Sequence, residues 1–222
     1  MGRTIVSAVA YFMLCASVSS QVQPRELRGD GHLLEETAEQ FFSEGIVGDL
    51  LRACQRGDWK SVRQLSKNGG EASKISAKDY CAKMQLTKQQ AMSGTRLEYT
   101  GRGDEGTMRA DRFTLDGGHL VKIDMIYFAP IANIEGYHPK SFSDLFAGLR
   151  DAYGPPTKSY SESMQSAYGA KYDARRAVWM GKQDVISIIE QPGEGGRTEI
   201  IAETVAEYSR AAEAPKVANP LK

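Results

Sequence analysis

Phe113-Thr-Leu-Asp-Gly-Gly-His-Leu-Val-Lys-Ile-Asp-Met-Ile-Tyr127 is the stretch on which the fold turns. Asp116-Gly117-Gly118 is a strong hairpin signal, because a two-residue turn needs positive φ and glycine adopts it without steric cost. Before it, a strand runs through Arg112 to Leu115. After it, Val121, Ile123, Met125 and Tyr127 alternate on one face of a third strand. Lys122 and Asp124 point the other way, joined by Ile126 and Phe128 near the strand's end. Upstream, Leu97 and Tyr99 alternate with Arg96 and Glu98, which predicts the first strand.

Downstream, Pro130 to Pro139 reads as a loop. Ser141 then opens a helix with Phe142, Leu145, Phe146, Leu149 and Tyr153 on one stripe. Gly154 is placed to end it, and Pro155-Pro156 prevents continuation. Three more strands are expected: Arg176–Met180, Val185–Glu190 and Thr198–Val205. A short helix is expected over Ala206–Ala212.

On the N-terminal side, four helical patterns precede Gly94. Leu34, Thr37, Ala38 and Phe41 share a face in the first. Val47, Leu50, Leu51 and Cys54 fall at i, i+3, i+4, i+7 in the second. Asp58 caps a third that buries Trp59, Val62 and Leu65, and Asn68-Gly69-Gly70 stops it. Ser76 caps a fourth, which carries Ala77, Tyr80, Cys81 and Met84 on one face. The fold class is therefore α+β: a helical N-terminal part followed by a largely antiparallel sheet in βββ-α-βββ order, the central helix packed on one face.

The chain has 222 residues, which sets a prior of one domain. Residues 33–212 form the expected domain, with 33–94 helical and 95–212 sheet. Residues 1–20 read as a signal peptide: Arg3 is the positive region, Ile5–Val18 the apolar run, and Val18-Ser19-Ser20 the small residues before the cut. Residues 21–32 read as a flexible leader and 213–222 as a disordered tail. The expected location is periplasmic or secreted, with no transmembrane segment after signal cleavage.

Export makes Cys54 and Cys81 an even pair in an oxidising compartment. Both lie on apolar helix faces that two packed helices would bring together, so a Cys54–Cys81 disulfide is expected, with two separate buried thiols as the alternative. No cofactor or metal is expected: the three histidines, His32, His119 and His138, have no ligand spacing to the cysteines. Lys+Arg and Asp+Glu are both 28, so there is no one-signed field to attract nucleic acid.

The motifs favour no reaction. Gly101-Arg-Gly-Asp-Glu-Gly106 has the spacing of a dinucleotide fingerprint, but a strand and a hairpin follow it instead of a helix. Arg-Gly-Asp occurs three times, at 28–30, 56–58 and 102–104, each at a place where a turn or cap needs Gly and Asp. G-x-S-x-G, S-x-x-K, H-E-x-x-H and C-x-x-C are absent. His119 reads as a turn-flanking surface residue. Asp111 with Asp124, and Glu199 with Glu203, are acidic pairs that could face each other across strands; Glu199 and Glu203 read as a solvated sheet face.

Thr37-Ala-Glu-Gln-Phe-Phe-Ser-Glu44, Phe113-Thr-Leu-Asp-Gly-Gly-His-Leu120 and Tyr153-Gly-Pro-Pro-Thr157, with a Trp-bearing strand around Trp179, resemble small uncharacterised exported proteins of acidobacterial-type soil bacteria. The resemblance implies export and an α+β fold, and it assigns no catalytic residue. The expected function is a non-catalytic extracytoplasmic binding or interaction protein, using a partly exposed sheet face or edge for a protein or small-molecule partner. An envelope hydrolase with an unrecognised active site is the alternative, and adhesion through Arg-Gly-Asp is the third.

Overall fold

Among the described residues, seven antiparallel strands form one sheet, in the order β1-β2-β3-β7-β6-β5-β4. The computed structural model describes residues 27–29, 31–66, 75–101, 109–128, 140–165, 169–191 and 196–213. The expected signal peptide, the third Arg-Gly-Asp and most of the Gly101–Gly106 run lie outside them. The strands are β1 (Leu97–Thr100), β2 (Arg109–Asp116), β3 (His119–Tyr127), β4 (Lys158–Gln165), β5 (Lys171–Met180), β6 (Asp184–Gln191) and β7 (Arg197–Thr204). The helices are α1 (Ala38–Ser43), α2 (Gly45–Arg56), α3 (Trp59–Leu65), α4 (Ala77–Met92), α5 (Phe142–Tyr153) and α6 (Val205–Glu213).

The α+β class and the helical N-terminal part are as expected, but four strands, not three, follow the central helix. Strand β4 was missed. Gly117 and Gly118 have φ of 58° and 83°, the double positive φ that a tight β2–β3 turn requires. Helix α5 has its start fixed by a capping box between Ser141 and Asp144, and Gly154 caps its end.

Pairing register separates the two sheet faces. On one lie Phe113, Ile123, Ile200, Ile188, Ala177 and Ser159. Helices α1, α2, α4 and α5 bury this face in one core with Phe41, Leu50, Met84 and Leu145. At the centre, the Phe41 ring meets His32, Phe42, Tyr99 and Phe113 at centroid distances of 4.3 to 5.9 Å. The apolar stripe on each helix has nowhere else to go, so all four pack on this side.

Several local expectations are corrected. Leu34 precedes α1, which begins after the Thr37 cap. Trp59 is 44% exposed, because short α3 turns only Val62 fully inward. The segment read as a flexible leader is packed at its end: His32 is buried against Phe41 and Phe113, and Gly29 pairs with His32 in a β-bridge. The last strand ends at Thr204, and α6 reaches Glu213, the residue expected to open the tail. No helix among the described residues is long and apolar enough to cross a membrane.

Candidate binding groove

Strand β4, Lys-Ser-Tyr-Ser-Glu-Ser-Met-Gln, closes one edge of the sheet and, among the described residues, pairs only with β5. Its register is continuous over eight residues, with no bulge. Ser159 and Ser161 stand opposite Ala177 and Arg175, so both point to the helix-covered face. Alternation places Ser163 on that side too. The small side chains of Ser159 and Ser161 leave space beside α5, a groove of about 580 Å³. It is lined by Phe142, Phe146 and Arg150 from the helix, Ser159 and Ser161 from the edge, and Arg175 from β5.

The floor is held rigidly. Phe142 and Phe146 stack at 5.9 Å with their rings 13° apart, and Phe146 meets Trp179 at 5.8 Å. Trp179 Nε1 donates to the Gly154 carbonyl at 2.9 Å, which ties the helix end to β5. The Arg175 guanidinium lies 4.4 Å from the Phe142 centroid. Glu190 accepts from Arg175 Nη2 at 2.8 Å and from Nε, which raises the arginine's pKa further.

The second sheet face carries Arg112, Asp124, Ile201, Ser187 and Val178 in one cross-strand row. Glu199 and Glu203 flank Ile201 on the same side, so they share one strand rather than facing each other across two. They are also buried, at 8% and 7% exposure, which corrects their reading as a solvated face. Burial raises the pKa of Asp124, Glu199 and Glu203, and repulsion from Asp124 adds to the shift of both glutamates. Arg197 lies 3.0 Å from Glu199, and Arg112 lies 3.7 Å from Asp124. Asp124 Oδ1 has no hydrogen-bond partner among the described residues.

The other acidic pair is divided by the sheet. Asp111 stands opposite Met125, on the helix-covered face, and pairs with Arg109 at 2.8 Å. Asp124 points to the opposite face. His119 sits at the hairpin, its Nδ1 3.4 Å from the Glu35 carbonyl oxygen, five residues along β3 from Asp124. These side chains do not converge. The Asp58 carboxylate in the second Arg-Gly-Asp caps α3 by accepting from Ser61 N at 3.1 Å. Among the described residues, no group of three His, Cys, Asp or Glu is gathered to hold a metal ion.

Cys54 on α2 and Cys81 on α4 are brought to disulfide distance, S–S 1.98 Å, by the packing of the two helices. Sequence reasoning missed the groove because it missed β4. The available signal was serine at every second position directly after Pro155-Pro156. No family model matches the chain, and neither a curated protein nor a solved structure was found to match it.

Proposed function

We propose that this chain is an exported, extracytoplasmic binding protein that takes an extended peptide segment as an added strand on the β4 edge, beside α5. The single observation that carries the reading is an unbulged eight-residue edge strand flanked by an aromatic-floored groove. An open edge offers main-chain hydrogen bonds for affinity, and a neighbouring groove accepts alternate side chains for specificity. The other edge offers less: β1 has four residues, and short edge strands deter pairing. Export agrees with the sequence pattern of residues 1–20 and with the resemblance to small exported proteins.

Hydrogen exchange tests the location. A bound peptide should slow exchange of amides within 158–165, with little change in β1. Protection confined to β1, or to the strands bearing Asp124 and Glu199, would place binding elsewhere and defeat the proposal.

The envelope-hydrolase alternative draws on one observation, the lifted pKa of Asp124 and Glu199, since a general acid must hold its proton near neutral pH. Failure of the purified protein to turn over aryl esters and aryl glycosides would remove it.

A further inference from the structure

The helix and the edge strand run antiparallel. Phe142 lies by Arg175, which stands opposite Ser161, whereas the Gly154 end of the helix meets Trp179, beyond Ser159. Along α5, Phe142, Phe146 and Arg150 recur every four residues, a rise of about 6 Å per step. A strand repeats its same-face side chains every ~6.7 Å. Three successive same-face side chains of an added strand would therefore fall beside Phe142, Phe146 and Arg150 in turn.

Charge distinguishes the third position. Arg175 is neutralised by Glu190 through two bonds. Arg150 is exposed and makes no ion pair among the described residues. Among the described residues, no carboxylate lines the groove. An added strand antiparallel to β4, the arrangement of every other pair in this sheet, runs in the same direction as α5.

From this geometry we infer that the groove selects a segment of pattern Φ-x-Φ-x-Asp/Glu, where Φ is an apolar residue. The two apolar side chains lie on Phe142 and Phe146, and the carboxylate pairs with Arg150. Two charge-assisted hydrogen bonds from a guanidinium fork to a carboxylate favour an acid over a base at that position. The inference rests on the strand-addition reading and adds the identity of the partner's side chains.

The test uses fluorescein-labelled, C-terminally amidated peptides Thr-Val-Thr-Leu-Thr-Glu-Thr and Thr-Val-Thr-Leu-Thr-Lys-Thr, measured by anisotropy against the whole chain. The acidic peptide should bind about tenfold more tightly or better, a difference of roughly 1.4 kcal/mol. Arg150→Glu should reverse that order. Ser161→Phe fills the groove and should abolish binding of both peptides; Ser159→Phe replaces it if Ser161→Phe does not fold by circular dichroism. Equal affinity for both peptides, with Ser161→Phe still abolishing binding, overturns the charge selection and leaves strand addition standing. A third peptide ending in a free α-carboxylate at the acidic position separates the sources: binding of that one alone overturns the side-chain assignment. No binding of any peptide, or binding that Ser161→Phe leaves intact, overturns both inferences. A dimer that Ser161→Phe dissociates, with no peptide bound, assigns the edge to a second copy and overturns both as well.

Discussion

Replacing Cys54 and Cys81 together by alanine tests the helical part of the fold and the export reading at once. The two residues are 27 apart in sequence, and their Cα atoms are 5.6 Å apart. In the chain-entropy treatment, a cross-link closing a loop of that size removes about 3.5 kcal/mol of unfolded-state entropy at 25 °C. For a chain of this length, each kcal/mol moves Tm by about 2–4 °C. The double variant should therefore melt roughly 7–14 °C below the parent. Alanine is chosen over serine because Cys81 is buried, and a hydroxyl there would need a partner. The assay is thermal unfolding by circular dichroism, with the parent also measured after reduction. Reduced parent and double variant should coincide. A fall in Tm of less than about 2 °C, or two alkylatable thiols in the native protein collected after export, would refute the bridge.

Phe41→Ala should cost about 3–5 kcal/mol in urea unfolding, because Phe41 is fully buried and joins the N-terminal segment, α1 and the sheet through four ring contacts. Glu199 has a raised pKa, first through burial, so its favourable contribution is present below the ordinary carboxylate pKa of about 4 and is lost as pH rises through the folded value. Glu199→Gln should accordingly flatten the decline in urea midpoint between acidic and neutral pH. Glu207 behaves oppositely: hydrogen bonding from Arg96 lowers its pKa, so its contribution is present above the ordinary value and lost as pH falls through the folded one. Glu207→Gln should destabilise the protein at pH 7, and by less as the pH is lowered below the ordinary carboxylate range, again by urea midpoint. Glu207 also pairs with Arg210, which itself reaches Asp116 at 2.6 Å, so α6 should stay tied to the β2–β3 hairpin when Glu207 loses its charge.

Elements fixed by local chemistry were legible in the sequence. The β2–β3 turn follows from two adjacent glycines, and α5 from a serine cap, an apolar stripe and a Gly-Pro-Pro stop. What depended on distant chain was harder to read. Trp59 has helical spacing to Val62 and Leu65, but a two-turn helix against α2 and α4 has only one inward stripe, and Val62 occupies it. Glu199 and Glu203 alternate with Thr198, Ile200 and Ala202, the sequence pattern of a strand with one solvated side. Yet both are buried, as are Thr198, Ile200 and Ala202 on the other side, so alternation along β7 does not separate core from solvent. His32 followed a polar, glycine-containing stretch, and only the pocket between Phe41 and Phe113 makes it core.

The groove illustrates the same division within a single contact. Helix α5 ends at Tyr153 and β4 begins at Lys158, so four residues join them. A connection that short obliges the strand to lie near the helix that precedes it. Bulky side chains at 142 and 146 were therefore bound to confront whatever the strand presented. Here the strand presents serine at every second position. Serine is ordinarily weighed as a turn or cap residue, and a strand with no apolar side gives no periodic hydrophobic signal. Yet an edge strand needs an apolar side only where its own side chains must complete the core. Phe146, Trp179 and Arg175 already cover the floor at this edge. Small residues there cost the fold little and leave the opening, which ties the weakest signal in the chain to the place where a partner would bind.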